Sequence, residues 1–188
     1  MAGRIVENVD KFRELILYIC SKCASHQKFG AVKLNKILFY SDFFGYLQFG
    51  KPITGVEYQK LPKGPAPRRL VPIQNEMIAN GELVIQPRQF WTSRKQQKRP
   101  VNLRTANLAL FDAREIALVD EIIENFRNLT ADETSDISHN EIGWKAARIG
   151  ETIPYETVFI SAKCPNDLDA ERAAIVETDC AELLKTLA

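Results

Sequence analysis

Cys20 and Cys23 have the CxxC spacing of residues that bind zinc or carry redox chemistry. A structural zinc site needs four ligands, and neither a second CxxC nor an HxxxH pair lies near this one. A thioredoxin-like pair lies at the start of a helix after a strand, whereas this pair falls inside an amphipathic helical segment. We therefore interpret both thiols as small buried apolar groups, and we predict no metal site and no cofactor.

The chain has two histidines, His26 and His139, and neither lies in a recognisable nucleophile motif. The sequence contains no GxSxG, P-loop, HExxH or GxGxxG pattern. Because no constellation requires catalytic chemistry, we expect the protein not to be an enzyme. A catalytic site that assembles in space around His139 and Trp144 is the alternative. His139 follows Ser138, a predicted helix N-cap, which favours a packing or capping role instead.

The segment QPRQFWTSRKQQKRP, residues 86–100, mixes Phe90 and Trp91 with five basic residues. Aromatic rings can stack on bases while Lys and Arg meet phosphates, so this composition suits a nucleic-acid-binding hairpin. The order of helix, helix and hairpin is similar to a winged helix in outline. A hairpin with Phe90 packed inward and a solvated basic turn explains the same residues. The sequence leaves both interpretations open.

Length and composition indicate an ordinary globular protein. A chain of 188 residues that is 45% hydrophobic suits one domain with a real core. No apolar run is long enough to span a membrane, and the N-terminal residues form no apolar signal segment. Four cysteines are too few for a disulfide scaffold. We therefore predict a cytoplasmic protein with no membrane association.

The net charge of +1 conceals two oppositely charged halves. Residues 1–111 carry 18 Lys and Arg against 7 Asp and Glu, a net charge of +11. Residues 112–188 carry 7 Lys and Arg against 17 Asp and Glu, a net charge of −10. One interpretation is that the halves face each other and neutralise in the fold. The other is a basic surface for an acidic partner or a nucleic acid.

Two helices open the chain, and the second is apolar on almost every side. Helical spacing of apolar residues predicts the first helix over residues 8–25. The second begins near Ala31 and stops at Gly50, which Pro52 follows. A soluble helix with so little solvated surface is either buried from every side or partly reserved for a partner.

Short strands and a third helix are predicted for the middle of the chain. Residues 56–61 alternate as a strand, and the prolines and glycine of residues 62–67 then argue against regular structure. The third helix is predicted over residues 67–80, where Gly81 ends it. Antiparallel strands, with the basic segment at a hairpin tip, are predicted at residues 82–87, 90–93 and 100–104.

The acidic half is predicted to be helical. Asp112 is the N-cap of a helix that runs to about residue 128. Two capping boxes are then predicted, one at Thr130 and Glu133 and one at Ser138 and Glu141. The second box begins a helix that carries Trp144 and ends at Gly150. A last helix is predicted over residues 167–187.

These elements predict a mainly α (α+β) fold. We expect a compact helical domain around the central apolar helix, with a small antiparallel β-sheet or hairpin. Residues 1–157 are assigned to this domain. Residues 158–188 are assigned to a C-terminal loop and helix packed on the same domain.

Four short motifs carry a family resemblance. They are Lys33-Leu34-x-Lys36-Ile37-Leu38-Phe39-Tyr40, Gly50-x-Pro52-Ile53, Lys63-Gly64-Pro65, and Ser138-His139 followed by Trp144. In order and spacing they resemble the Panacea domain, also called the SocA-like antitoxin domain, over roughly residues 8–150. The resemblance implies a mostly helical domain with a small sheet.

The resemblance also implies a function and a partner. It implies an antitoxin of a bacterial or phage toxin–antitoxin pair that neutralises a cognate toxin protein by direct binding. One type of member is understood as a proteolytic adaptor, which makes a protease a further partner to consider. The residues alone offer another alternative, a nucleic-acid-binding regulator that uses the basic hairpin around residues 88–104.

Partner contacts are predicted on polar and aromatic residues of these motifs and of the basic segment, because aromatic residues and Arg dominate interface energetics. Lys33, Lys36 and Tyr40 lie at spacings of three and four along the second helix, and we expect this stripe to be exposed. The predicted partner-contact residues are Lys36, Tyr40, Lys63, Arg68, Trp91 and Arg94.

Overall fold

The computed structural model describes residues 5–89 and 96–160. The helices of these residues are α1 (Val9–Lys22), α2 (Ala31–Phe49), α3 (Leu70–Ala79), α4 (Ala113–Phe126), α5 (Ala131–His139) and α6 (Ile142–Ala146). The strands are β1 (Tyr58–Leu61), β2 (Gly64–Pro67), β3 (Leu83–Gln89), β4 (Gln96–Asn102) and β5 (Thr152–Ile153). Short 3₁₀ turns lie at Leu108–Leu110 and Tyr155–Phe159. The predicted mainly α (α+β) class is confirmed.

Helix α2 is the centre of the domain, as the sequence predicted. It contacts α1, α4, α5, β2 and the last 3₁₀ turn, which explains why almost no side of it is polar. It ends at Gly50, whose left-handed φ of 71° and N–H bond to the Tyr46 carbonyl form a C-cap. The aromatic rings of Phe39, Phe43 and Tyr58 pack together along its buried face.

A buried polar network fixes α2 against the segment that leads into β1. The Asp42 carboxylate accepts hydrogen bonds from the Thr54 N–H at 2.6 Å, the Thr54 hydroxyl and the Tyr58 hydroxyl at 2.8 Å. Burial raises the pKa of Asp42 to about 6. These bonds supply the partners that a fully buried carboxylate requires.

Helices α1 and α4 begin close to where the sequence predicts. The Asn8 side chain caps α1 by accepting the Lys11 N–H. Asp112 caps α4 in a complete capping box with Glu115, so the helix begins where the sequence predicts. The first helix is shorter than the predicted 8–25, since it ends at Lys22.

Strand β2 corrects the prediction that residues 62–67 are irregular. Gly64–Pro67 pairs antiparallel with β1, and β1 pairs on its other side with β5. Pro65 and Pro67 are tolerated because β2 lies at the edge of this sheet, where a missing N–H breaks no second ladder. Since Pro67 belongs to a strand, α3 begins at Leu70 and not at the predicted residue 67.

The predicted antiparallel hairpin is present as β3 and β4, but β4 covers Gln96–Asn102 and not the predicted residues 100–104, so Lys98 and Arg99 lie in the strand and not at the hairpin tip. Leu83 pairs with Asn102 and Ile85 with Pro100, so the two strands run through Gln89 and Gln96. The predicted strand at residues 90–93 and the predicted helix at 167–187 lie outside the described residues. The assignment of residues 1–157 and 158–188 to a domain and a tail stays a prediction.

One of the two predicted capping boxes is wrong. Thr130 and Glu133 form a complete box at the start of α5. Ser138 is no N-cap, because α5 continues through His139 and the Ser138 hydroxyl donates to the Ser135 carbonyl at 2.7 Å. His139 therefore ends a helix, and the next helix, α6, stops at Ala146 before Gly150.

Several contacts join the basic and acidic halves, but among the described residues only two ion pairs cross between them and the others lie within one half. Lys11 pairs with Glu115 at 2.6 Å, and Lys22 pairs with Asp120 at 2.8 Å. Near the end of α4, the Lys33 amine donates to the Arg127 carbonyl at 3.0 Å. Amines are well placed there, since the last carbonyls of a helix lack partners within it.

Candidate functional site: an apolar groove beside the central helix

A groove of about 720 Å³ opens on one flank of α2. The first turns of α2, the β1–β2 hairpin, α3 and the β3–β4 hairpin enclose it. Its lining residues are Ala31, Val32, Asn35, Lys36, Gln59, Leu61, Pro62, Lys63, Gly64, Ala66, Pro67, Arg68, Leu70, Val71, Gln74, Asn75, Ile78, Ile85 and Lys98. We refer to this surface as the groove.

Apolar side chains of α3 stand exposed along the groove. Val71 is 66% exposed and Ile78 is 40% exposed. They lie on a different side of the helix from Leu70, Ile73 and Met77, which pack into the core. Exposed apolar side chains that line a concave surface are typical of a binding site.

The charged side chains of the groove all carry the same sign. They are Lys36, Lys63, Arg68 and Lys98, and no Asp or Glu lines the groove. Arg68 is held in place by the Gly150 carbonyl at 2.8 Å and by Glu57 at 3.5 Å. Lys63 and Lys98 form no ion pair with any residue in the described part of the chain.

Lys36 lies at the base of the groove and is only 2% exposed. Its amine donates to the Pro65 carbonyl at 3.0 Å. No carboxylate of residues 5–89 or 96–160 pairs with it. Burial therefore lowers the pKa of Lys36 to about 7, since a charged amine is poorly solvated there.

Motif residues from three separate elements converge beside Lys36. Gly64 has a left-handed φ of 98°, and a Cβ at this position would lie 2.6 Å from the Lys36 amine and against the Ser138 hydroxyl. Only glycine combines this backbone conformation with this close approach. Lys36 of α2, Gly64 and Pro65 of β2 and Ser138 of α5 thus form one packing junction.

The predicted exposed stripe of α2 is wrong. Lys33 and Lys36 are each 2% exposed, and Tyr40 is 3% exposed. Helical spacing correctly places the three residues along one side, but other elements cover that side. The Tyr40 hydroxyl donates to Glu141 at 2.8 Å, and its ring packs on Phe126.

The groove brings together half of the predicted partner-contact residues. Lys36, Lys63 and Arg68 line it, and their contact with a partner stays a prediction. Tyr40 is buried elsewhere against α4 and the start of α6, so it forms no surface contact in this structure. Trp91 and Arg94 lie outside the described residues.

The remaining motif residues are structural. Trp144 donates its indole N–H to the Leu61 carbonyl at 3.1 Å, and His139 stacks on its ring at 4.1 Å. The Lys60 amine lies over the same ring at 4.1 Å. These contacts attach α5 and α6 to β1. Leu34 is fully buried in the core, whereas Pro52 follows the Gly50 cap.

The two cysteines match their interpretation as buried apolar groups. Cys20 and Cys23 are free thiols in the core. Burial raises the pKa of Cys23 to about 12, which keeps the thiol protonated at neutral pH. Within residues 5–89 and 96–160, no three side chains of the metal-binding types cluster as a site would require.

Sequence reasoning missed Val71, Ile78 and Lys98 as groove residues. The sequence of α3 does hint at Val71 and Ile78, because its apolar residues occupy more than one side of the helix. A surface helix usually has a single apolar side, which it buries. For Lys98 no such signal existed, since only the pairing of β4 with β3 places it beside α3.

Comparisons with known proteins identify the family. A family model described as antitoxin SocA-like, Panacea domain, matches residues 34–145, which is more than half of the chain. Comparison with curated proteins and with solved structures gave no significant match. No helix in the described residues is long and apolar enough to cross a membrane. The match covers α2 to α6 and the junction around Gly64, and the chain therefore belongs to the Panacea domain family of SocA-like antitoxins.

Proposed function

We propose that this protein is an antitoxin that neutralises a cognate toxin by direct protein–protein binding through the groove. Membership of the family supports the antitoxin role. The observation that carries the binding mode is the groove itself, an apolar depression of about 720 Å³ with exposed Val71 and Ile78. Neutralisation by binding requires that the toxin's active surface be covered, and it requires no catalytic group in the antitoxin.

The groove has the energetic character of a binding surface. Burial of a side chain such as Val or Ile contributes about 1.5–3 kcal/mol when it was fully exposed before. Val71 and Ile78 are partly exposed, so part of this free energy can still be gained when a partner covers them. The surrounding Leu61 and Pro62 extend the apolar area. A few well-packed central residues carry most of the affinity at protein interfaces, and Val71 and Ile78 are the apolar side chains placed for this role in the groove.

A growth assay tests the function. The protein encoded beside this chain would be expressed alone and together with wild type or with the double variant V71D/I78D. Both positions are exposed, so Asp there removes apolar contact without placing a charge in the core. We expect the neighbouring protein to be toxic alone, wild type to restore growth, and V71D/I78D to restore none.

Matched controls come from exposed apolar residues outside the groove. Ile149 is 63% exposed and Leu110 is 42% exposed, close to the values of Val71 and Ile78. The double variant I149D/L110D should restore growth as wild type does. The proposal fails if the neighbouring protein is harmless, or if it stays toxic beside wild-type protein.

A further inference from the structure

The charged side chains that line the groove are all cations. The whole chain has 25 Lys and Arg against 24 Asp and Glu, yet four cations and no acid line the groove. Elsewhere, cations of the same basic half meet carboxylates: Arg104 pairs with Glu14 and Glu82, and Arg13 pairs with Glu82. Arg68 pairs with Glu57 at 3.5 Å, whereas the other three groove cations, Lys36, Lys63 and Lys98, pair with no carboxylate of the described residues.

The cations lie at two depths. Lys63 and Lys98 stand at the exposed rim, where they can attract an anion from solution. Lys36 lies at the base among apolar atoms, with a carbonyl as its hydrogen-bond partner. With a pKa of about 7 this amine is only partly protonated at neutral pH, and a carboxylate brought close to it would favour the protonated, charged form.

Apolar contacts accompany the charges. Val71 and Ile78 are seven residues apart on α3, which separates them by about 10 Å along the helix axis. Two apolar side chains of one peptide segment can reach both positions, whether that segment is helical or extended. A nucleic acid would satisfy the cations but would leave these apolar side chains poorly matched.

We infer that the groove binds an acidic peptide segment of its protein partner, with apolar side chains on Val71 and Ile78 and carboxylates directed at Lys36, Lys63 and Lys98. This inference rests on the proposed function, since it specifies the partner's chemistry at the same surface. Electrostatic complementarity of this kind increases the association rate and specifies the orientation of binding.

Selection from a phage-displayed library of short random peptides tests the inference without requiring the toxin. The full chain would be the bait, and V71D/I78D would serve for counter-selection, so that only groove-dependent peptides survive. We expect these peptides to combine apolar residues with an excess of Asp and Glu. Their affinity, measured by fluorescence anisotropy, should fall about tenfold or more with K63E/K98E.

A charge-matched control separates groove contacts from a change in net charge. Lys51 and Lys145 are exposed and lie outside the groove, so K51E/K145E changes the net charge equally. We expect this control to change the affinity by no more than about twofold. K36M should also weaken binding, and circular dichroism would show that its fold is retained.

Three results would overturn the inference. They are selected peptides without an acidic excess, an effect of K63E/K98E no larger than that of the control, and recovery of no groove-dependent peptide. Displacement of a selected peptide by a single-stranded oligonucleotide at physiological salt would favour a nucleic acid instead. The results of the peptide selection and of the growth assay test the two proposals separately. Acidic peptides without rescue would refute the antitoxin role alone, and rescue with neutral peptides would refute the inference alone.

Discussion

The cations of the basic half have close polar partners on one flank of α2 and few on the other. On the α4 flank, the Lys33 amine meets the Arg127 carbonyl at the end of α4, and Lys11 of the neighbouring α1 meets Glu115 of α4 at 2.6 Å. On the groove flank, Lys36 has one carbonyl partner, and Lys63 pairs with no acid among the described residues. The charges of the first flank have partners within the fold, whereas we propose that those of the second flank bind a partner. Ion pairs and hydrogen bonds within the fold thus distinguish the cations that stabilise the domain from those that we propose for binding.

The largest expected effect tests the junction that shapes the groove. G64A places a methyl group at a left-handed position beside Lys36 and Ser138, and it should lower the free energy of unfolding by about 2–4 kcal/mol. Gly50 provides the control, because its φ is also left-handed, yet a Cβ added there would have no neighbouring atom within 4 Å. G50A should cost about 1 kcal/mol. Urea denaturation measures both variants. Equal decreases in the free energy of unfolding for G64A and G50A would show that the packing around Gly64 imposes no constraint beyond its backbone conformation.

Removal of a charge should lower the stability of the protein more on the α4 flank, which we call the paired flank, than in the groove. E115Q leaves the Lys11 amine beside a neutral, buried amide, and it should lower the free energy of unfolding by about 2–3 kcal/mol. K63Q alters an exposed groove cation that has no ion pair among the described residues, and it should change stability by less than about 0.5 kcal/mol. Chemical denaturation of both variants measures the difference. If K63Q lowered the stability instead, Lys63 would be a residue that stabilises the fold and not one available for binding.

The smallest effect concerns the pH dependence that Lys36 produces. Its pKa is about 7 in the folded protein against an ordinary 10.5, so above pH 7 the unfolded chain binds more protons at this site than the folded one. Stability should therefore rise with pH in this window, by about 1–2 kcal/mol between pH 7 and pH 8.5. Burial of Cys20 and Cys23 raises their thiol pKa values above the ordinary 9.0, so these groups lower stability as the pH rises through about 8 and above, and they offset a small part of the rise near pH 8.5.

K36M isolates the contribution of Lys36 from that of other groups. The variant should lose the rise in stability between pH 7 and pH 8.5, while the remaining pH dependence stays as in wild type. Thermal unfolding at both pH values measures the difference between the two proteins. An identical pH profile in K36M and wild type would contradict a buried amine with a lowered pKa.

Local signals in the sequence predicted the helices better than the site. Gly50 marks the end of α2, and the Asp112 and Thr130 caps mark the starts of α4 and α5, because each acts on its own neighbours. The prediction for Ser138 was wrong because the continuation of α5 depends on packing against β2. Capping patterns do not report that packing.

The groove could not be predicted as a surface, because four consecutive elements form it and their packing in space is not visible in local sequence patterns. Helical spacing showed that Lys33, Lys36 and Tyr40 share a side of α2, but spacing cannot show what covers that side. The family motifs marked Lys36, Lys63 and Gly64 as important. The structure separates their roles, since Gly64 shapes the groove and Lys63 faces its opening.

We propose that the toxin binds in the groove and not on the paired flank. Isothermal titration calorimetry of the purified neighbouring protein with wild type, V71D/I78D and I149D/L110D measures this. We expect an affinity at least about a hundredfold lower for V71D/I78D and a nearly unchanged affinity for I149D/L110D, with all three proteins folded. Equal affinities of V71D/I78D and wild type would show that the toxin does not bind in the groove.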